Sequence, residues 1–215
     1  LGLEFRRPSY ANGRSVKCRC ACLGRHWDPS QNTAAAYRDD GAPPIPEVLL
    51  SLARRAAQAA AAIDPSVLGD AGYVDPDVLL LNFYDDRDSN AGMGLHQDKD
   101  ESHEAIHRGH PVISVSVGAD AVFVLADDRQ LGRHTAAHNA PADDDAEIKN
   151  KDKNKTRIVL SSGDVLAFGG PARLIYHGVE KVAPFVDALD APPDMRPGRL
   201  SLTFRTSRGG APELL

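Results

Sequence analysis

The sequence lacks long apolar runs, and cysteine is scarce in it. No apolar stretch approaches the roughly 18 residues that a membrane-spanning helix needs, so we expect no membrane segment. The three cysteines, Cys18, Cys20 and Cys22, lie two apart and share one face of an extended strand, a poor geometry for a disulfide between them. We therefore expect reduced thiols in an intracellular protein. His26 leaves a four-ligand zinc set as the alternative, although C-x-C-x-C differs from the usual C-x2-C spacing.

Basic residues are not in excess either. The 25 lysines and arginines are outnumbered by 30 aspartates and glutamates, giving a formal charge of -5. This balance disfavours a broad, non-specific nucleic-acid binder, which usually carries a basic surface, but it leaves local basic patches open. The polar tract 127–155 holds such a patch after the acidic run DDDAE. We expect this tract to be a mobile insert, with contact to phosphate as the alternative.

The length and composition predict one globular domain. The 215 residues are 42% apolar and 26% charged, which is enough for a sizeable core. The chain begins at Leu1 rather than at methionine, so we expect that N-terminal residues have been removed and that targeting signals cannot be judged. We expect a monomer inside the cell, in the nucleus or the cytoplasm, with an organelle left open.

The order of predicted elements indicates an α+β protein. After the stiff stretch PPIP, residues 47–63 form an Ala- and Leu-rich helix that ends before Asp64-Pro65. Short, partly alternating apolar segments then predict strands, and Gly163-Asp164 predicts a tight turn between two of them. The predicted strands are 78–84, 111–118, 121–126, 157–162, 164–170, 173–179 and 199–206. Seven strands after a helical region favour a β-sandwich or jelly roll.

Two metal motifs overlap in the stretch LHQDKDESHEAIHRGH. The first, H-E-x-x-H at His103, Glu104 and His107, is the pattern of zinc proteases. It needs a regular helix, but Gly109 and Pro111 limit this one to two turns, and the extended form with a third histidine is absent. We therefore expect His103 and His107 to be surface residues.

The second motif, H-x-D at His96 and Asp98, favours a different metal. Residues two apart in an extended chain point the same way, so one face can present both side chains to one ion. His177 is the later histidine in a strand-like context, in RLIYHGV, and is the candidate third ligand. Two histidines and one carboxylate form the facial triad of non-haem Fe(II) sites.

The last predicted strand, RLSLTFR, carries two arginines on one face. Arg199, Ser201, Thr203 and Arg205 alternate with apolar residues. A half-buried strand with two arginines on one side favours an anionic ligand such as a small dicarboxylate, unless that face is solvent-exposed. Asn82 and Tyr84 offer an amide and a phenol to the same ligand.

The ordered set of motifs resembles the AlkB family of Fe(II)/2-oxoglutarate dioxygenases. N-x-Y, H-x-D-x-D-E, SVSVG, GDV with FGG, YHGV and RLSLTFR follow one another over residues 82–205. The N-terminal stretch, CLGRHWDP with PPIP, is most similar to the plant and eukaryotic branch grouped with the first AlkB homologue. The resemblance implies a double-stranded β-helix (jelly roll) core with an N-terminal helix and a nucleotide-recognition lid. We accordingly expect lid and helix in 1–77 and the core in 78–206.

The resemblance also implies roles for individual residues. Iron would be held by His96, Asp98 and His177. 2-Oxoglutarate would be held at its far carboxylate by Arg199 with Tyr84, with Arg205 and Asn82 as further contacts. Ser201 stands where the family usually has asparagine and keeps only a hydroxyl. The residues expected near the substrate base are Asp100, Glu101, Phe168, Tyr176, Trp27 and His26.

The implied activity is oxidative N-demethylation of a nucleobase. The expected cofactors are Fe(II), 2-oxoglutarate and O2, with ascorbate as reductant in vitro, and the products are formaldehyde, succinate and CO2. DNA or RNA carrying methyladenine is the expected substrate, either N6-methyladenine in DNA or N1-methyladenine in tRNA. The acidic balance keeps a hydroxylase of a protein or small molecule as the alternative. An inactive binding module is disfavoured by the intact triad and arginine pair.

Overall fold

The structure, a computed structural model, describes residues 3–31, 36–70, 72–126, 155–184 and 197–209. Nearly all of the predicted insert 127–155 lies outside them. The described helices are α1 (Glu47–Ile63) and α2 (His103–His107), with short 3-10 turns at Pro65–Leu68 and Gly170–Ala172. The described strands are β1 (Arg19–Leu23), β2 (His26–Trp27), β3 (Tyr37–Arg38), β4 (Val78–Asp85), β5 (Met93–His96), β6 (Val112–Gly118), β7 (Ala121–Ala126), β8 (Lys155–Leu160), β9 (Val165–Phe168), β10 (Tyr176–Val182) and β11 (Gly198–Arg205).

Two antiparallel sheets carry the fold in the described part of the chain. The larger has the strand order β1-β4-β11-β6-β9, and the smaller has the order β5-β10-β7-β8. Strands β2 and β3 pair separately as a small ribbon, the lid ribbon. From β4 to β11 the chain alternates between the two sheets, except that β7 and β8 are neighbours in the smaller one, as in a jelly roll; the predicted fold class is confirmed. No described helix is both long and apolar enough to cross a membrane.

Strand β11 lies at the centre of the larger sheet. Its whole length pairs with β4, and Leu202 faces Leu81 on one side and Val115 on the other. Its apolar face, with Leu202 and Phe204, packs into a core cluster that also contains buried residues of α1. The alternating side chains of β11, polar in sequence, are buried as well and face the space between the sheets. The alternative of a solvent-exposed polar face is wrong.

Helix α1 has the predicted bounds and covers the outer face of the larger sheet. Its small side chains Ala53, Ala56 and Ala57 are buried, which lets the helix approach the sheet closely. The helix ends at Asp64, whose side chain accepts a hydrogen bond from the amide of Ser66 and begins the following 3-10 turn.

The connection from β9 to β10 is packed against that turn through glycines. A Cβ at Gly169 would lie 2.0 Å from the carbonyl oxygen of Val67, and a Cβ at Gly170 would lie 2.0 Å from that of Ser66. Only glycine allows this approach. The predicted strand began at Arg173, whereas β10 begins at Tyr176, because the tight turn lies directly before it. The turn therefore determines where the strand that carries His177 starts.

Candidate metal and co-substrate site

His96, Asp98 and His177 converge between the sheets. Nε2 of His96 lies 3.5 Å from Oδ1 of Asp98, and Nε2 of His177 lies 3.6 Å from Oδ2 of the same carboxylate. The three ligand atoms all lie within 4.8 Å of one another, and this is the one such group of three among the described residues. The strand pairing explains the convergence, because His177 on β10 is directly opposite His96 on β5.

Backbone carbonyls set the orientation of both imidazoles. Nδ1 of His96 donates to the carbonyl oxygen of Gly94 at 2.9 Å, and Nδ1 of His177 donates to that of Ile175 at 3.0 Å. A carbonyl oxygen can only accept, so the proton lies on Nδ1 and Nε2 is left as the lone-pair donor. This is the outer-shell arrangement of metal-binding histidines.

The electrostatics of the triad suit a cation. Burial alone would raise the pKa of Asp98, but the charge of Arg205 and the contacts with both histidines hold that pKa well below its usual value. Burial lowers the pKa of His177 and outweighs the opposing charge of Asp98. For His96, the hydrogen bond and charge of Asp98 outweigh burial and raise the pKa. Asp98 is therefore ionised and His177 neutral near neutral pH, as metal binding requires.

Arg199 is buried without sufficient partners. Its side chain is 1% exposed, and Nη2 donates to Oγ of Ser116 at 2.9 Å. Nε and Nη1 have no hydrogen-bond partner among the described residues. The guanidinium also lies over the ring of Tyr84, 5.7 Å from its centroid. The unpaired N–H groups at Nε and Nη1 leave a buried cation without a counter-charge in the described part of the chain, and a carboxylate can supply both the hydrogen-bond acceptor and the charge.

Arg205, in contrast, is surrounded by acids. Nη2 lies 2.7 Å from Oδ1 of Asp98, and Nη1 lies 3.4 Å from Oε1 of Glu101. Arg173 contacts the same two acidic residues. Its Nη2 lies 3.0 Å from Oε1 of Glu101, and its Nη1 donates to the backbone carbonyl of Asp98 at 2.6 Å. We call these four buried residues, Asp98, Arg205, Glu101 and Arg173, the charge ring. Nη1 of Arg205 also donates to the hydroxyl of Tyr37, at 3.0 Å, in the lid ribbon.

One cavity of about 320 Å³ joins most of the predicted residues, a volume within the range of small-molecule sites. Ser201 lies between the arginines and exchanges a 2.8 Å hydrogen bond with Ser114, while Asn82 accepts one from Cys20 at 3.2 Å. Phe168 packs on His177 with 4.8 Å between ring centroids. The predicted residues that line this cavity are His96, Asp98, His177, Asn82, Tyr84, Arg199, Ser201, Arg205, Asp100, Trp27, Phe168 and Tyr176.

The lid ribbon contributes Trp27 to this cavity but not His26. Nε1 of Trp27 donates to Oδ2 of Asp100 at 2.9 Å, which fixes the indole against the carboxylate. Neighbouring residues of an extended strand point in opposite directions. His26 is accordingly exposed and lines a separate surface groove instead.

The assignment of Glu101 to substrate binding needs correction. Its side chain is 1% exposed, does not line the cavity and is paired with Arg173 and Arg205. A carboxylate held between two buried guanidiniums is a structural anchor, out of reach of a ligand in the cavity.

Several residues of the site were not predicted from the sequence, and three of them contact its main groups or line its cavity. Phe123 on β7 stacks on His177 with 5.6 Å between centroids, Tyr10 lines the cavity, and Arg173 contacts Asp98. No local motif marks them. The short apolar run AVFVLA identified Phe123 as a strand residue, but only the pairing of β7 with β10 brings it to the metal site.

The competing H-E-x-x-H motif forms no site in the described structure. His103, Glu104 and His107 are exposed on α2, a helix of five residues. It begins after Ser102, whose Oγ accepts a hydrogen bond from the amide of Ala105. The expectation that these histidines lie on the surface is confirmed.

The residues present fit ferrous iron and 2-oxoglutarate. Two Nε2 atoms and one ionised carboxylate form the donor set preferred by non-haem iron, and the orphaned N–H groups of Arg199 provide for a carboxylate in the same cavity.

Comparison with known proteins agrees with this fit. Residues 2–205 match the family model described as the 2OG-Fe(II) oxygenase superfamily. Two Arabidopsis thaliana proteins, named DNA N(6)-methyladenine demethylase ALKBH1D and ALKBH1C, are 34% and 35% identical over 94% of this chain. AlkB of Escherichia coli is 34% identical over 64% of the chain. A solved structure described as "The structure of OsALKBH1" superposes with a TM-score of 0.65 at 33% identity, covering 94% of this chain and 84% of that one.

The chain spans only 42% and 41% of the length of the two Arabidopsis relatives. The match to OsALKBH1 nevertheless covers most of both chains. Members of this oxygenase superfamily use Fe(II), 2-oxoglutarate and O2. The chain belongs to the 2OG-Fe(II) oxygenase superfamily and, within it, to the AlkB family on the branch of the plant AlkB homologue 1 proteins.

Proposed function

We propose that this chain removes methyl groups oxidatively from methylated adenine in DNA or RNA, using Fe(II), 2-oxoglutarate and O2. Formaldehyde, succinate and CO2 are the accompanying products. The observation that carries the proposal is one cavity lined by the His-Asp-His triad, a buried arginine with unsatisfied N–H groups, and an indole hydrogen-bonded to a carboxylate. The names of the Arabidopsis and Escherichia coli relatives support the same activity.

The side chains divide the work of binding and orientation. His96, Asp98 and His177 hold the metal, and the far carboxylate of 2-oxoglutarate pairs with Arg199. When bound, iron and 2-oxoglutarate supply the oxidising chemistry that side chains lack. Phe123 and Phe168 pack against the imidazole of His177 and limit the access of water to it. These aromatic contacts keep the ligand neutral and correctly oriented.

The mouth of the cavity suits a flat base with an N–H group. Trp27 offers an aromatic surface, and its hydrogen bond holds the Asp100 carboxylate beside it. That carboxylate can accept further hydrogen bonds, and the exocyclic nitrogen of N6-methyladenine carries one N–H. A base reaches the cavity only when it is out of the helical stack, so a flipped or single-stranded nucleotide is the substrate form.

The same proposal includes a monomer that works inside the cell, in the nucleus or the cytoplasm. Cys18 and Cys20 support a reducing compartment, since their sulfurs lie 3.6 Å apart as thiols in the core. Sedimentation of the purified chain and fluorescence microscopy of the tagged full-length protein test these two points.

The decisive experiment is mass spectrometry of oligonucleotides after incubation with the chain, Fe(II), ascorbate and 2-oxoglutarate. The substrates are N6-methyladenine and N1-methyladenine, each in single- and double-stranded DNA and RNA. We expect loss of the methyl group from at least one substrate, with equal amounts of formaldehyde and succinate. Asp98→Ala is the inactive control, and His103→Ala/His107→Ala is the matched active control.

A hydroxylase of a protein or small molecule predicts a different result. In that case succinate would form at the same rate with methylated and unmethylated oligonucleotides, and no oligonucleotide would lose its methyl group. This outcome would overturn the demethylase proposal while leaving the oxygenase family unchanged.

A further inference from the structure

We propose that Arg173 is a positioning residue for the metal ligand Asp98, acting from the backbone side and held in place by Glu101. The inference rests on the proposed metal site and adds to it a residue that none of the motifs includes. Arg173 donates from Nη1 to the carbonyl oxygen of Asp98 at 2.6 Å, while Nη2 lies 3.0 Å from Glu101. The side chain thus fixes the main chain of the ligand rather than its carboxylate.

Asp98 needs such support more than the two histidines do. His96 and His177 lie on paired strands, β5 and β10, and are opposite each other in the ladder. Asp98 lies in the segment between the end of β5 at His96 and the start of α2 at His103, which is neither strand nor helix. Because no ladder fixes this segment, its direction depends on side-chain contacts. The contacts to Asp98 from the charge ring are those of Arg173 at the carbonyl and Arg205 at the carboxylate.

Arg173 is itself held rigidly. It follows the 3-10 turn Gly170–Ala172, and its amide donates to the carbonyl of Gly170 at 3.1 Å. That turn is locked against the Pro65–Leu68 turn by the close approach at Gly170. The planar guanidinium then spans two acceptors at once, the carbonyl of Asp98 and the carboxylate of Glu101. A lysine at this position carries one point charge and cannot span both.

The charge balance of the ring makes a sharp experiment possible. Two carboxylates and two guanidiniums cancel, so removing Arg173 alone leaves Glu101 with excess buried negative charge. Removing both the arginine and the negative charge at position 101 makes the net charge of the ring zero again. It does not restore the hydrogen bond to the carbonyl of Asp98. Stability and metal binding should therefore respond differently to the same pair of substitutions.

The test measures Mn(II) affinity by calorimetry and thermal stability for the wild type and five variants, without nucleic acid. We expect Arg173→Met and Glu101→Gln to lower both quantities, with Mn(II) binding about 10- to 100-fold weaker. The double variant Arg173→Met/Glu101→Gln should recover stability but keep the weakened Mn(II) binding. Arg173→Lys should fold well and bind Mn(II) with intermediate affinity. Arg54→Met is the control with unchanged affinity; it removes a residue of α1 that pairs with Glu47 on the same helix and with Asp75 before β4.

Mn(II) affinity within twofold of wild type in the folded variants would overturn the proposal and leave Arg173 a packing role only. If Arg173→Met alone does not fold, the double variant and Arg173→Lys decide the question. Failure of the demethylase proposal is distinguishable, because a chain inactive on methyladenine still reports its Mn(II) affinity.

Discussion

Arg199 and Arg205 lie six residues apart on the same face of β11, yet their surroundings differ completely. Both are buried and both line the cavity. Arg205 contacts two carboxylates and a tyrosine hydroxyl. Arg199 contacts the hydroxyl of Ser116, and no carboxylate lies within ion-pair distance of it among the described residues.

The two environments indicate different roles for the two arginines. A buried guanidinium without a counter-charge is costly, and burial lowers the pKa of Arg199 accordingly. Burial lowers the pKa of Arg205 too, but the charges of Asp98 and Glu101 outweigh burial and hold that pKa well above its ordinary value. The protein's own carboxylates therefore neutralise Arg205, whereas we expect a carboxylate of a bound ligand to pair with Arg199. The expected role of Arg205 in contacting 2-oxoglutarate stays a prediction beside its contact with the metal ligand.

Breaking the Arg205 end should have the largest effect on stability. Arg205→Met leaves Asp98 and Glu101 with one fewer counter-charge in the interior. Removing one partner of a buried ion pair costs about 3–5 kcal/mol. We expect urea denaturation to show a loss of that order, together with weaker Mn(II) binding. A change below about 1 kcal/mol would mean that the contacts of Arg205 contribute little to the fold.

Breaking the Arg199 end should affect the co-substrate instead. Arg199→Met removes charge-assisted hydrogen bonds of about 1.5–3 kcal/mol, which corresponds to roughly a 10- to 100-fold rise in the KM for 2-oxoglutarate. The fold should tolerate the change, since the residue lacks counter-charges to leave unpaired. Steady-state kinetics at saturating metal provide the measurement, and Arg54→Met is the control. An unchanged KM would show that Arg199 does not bind the co-substrate.

Low pH should destabilise the protein through Asp98, the partner of Arg205, whereas Arg199 has no carboxylate partner to protonate in the part of the chain that the structure describes. The folded pKa of Asp98 is depressed, so its contribution to stability is complete above its unfolded pKa of about 3.9 and is lost as the pH falls below that value. The metal-free wild type should therefore lose more Tm than Asp98→Asn between pH 4 and pH 2.5. The expected difference is a few degrees, because about 1 kcal/mol shifts Tm by about 2–4 °C in a domain of this size. An equal loss of Tm in the wild type and in Asp98→Asn over this pH range would contradict the assignment of the depressed pKa to Asp98.

The smallest effect should come from the second metal motif, which belongs to neither arginine. His103→Ala/His107→Ala changes exposed side chains, and such changes usually stay within about 0.5 kcal/mol of wild-type stability. Mn(II) affinity and turnover should stay at wild-type values. Loss of metal binding in this variant would indicate that the metal binds to α2 and not in the cavity.

The sequence was most informative where local spacing decides geometry. The period of two set Arg199 and Arg205 on one face of β11, and the structure agrees. His96 and Asp98 also converge as expected, although β5 ends at His96 and Asp98 lies beyond the strand. The helix Glu47–Ile63 was predictable from its composition and its limits. The choice of His177 depended on its strand-like context alone, and the pairing of β10 with β5 bears it out.

Long-range register is where such reasoning stops. Arg173 and Phe123 reach the site because β10 and the turn before it meet distant elements, and no local pattern encodes that meeting. Glu101 was assigned to the substrate base through the motif H-x-D-x-D-E, but the chain has left β5 by Asp98, and the Glu101 carboxylate pairs with Arg173 and Arg205 instead. His26 was placed beside Trp27 by proximity in sequence, although adjacent strand residues face opposite sides.

A crystal structure of the chain with Mn(II) and 2-oxoglutarate tests the central claim most directly. We expect one metal ion bound by His96, Asp98 and His177. The far carboxylate of 2-oxoglutarate should lie on Arg199, and Arg173 should still donate to the carbonyl of Asp98. A metal ion at His103 and His107, or a 2-oxoglutarate molecule that leaves Arg199 without an anionic partner, would contradict it.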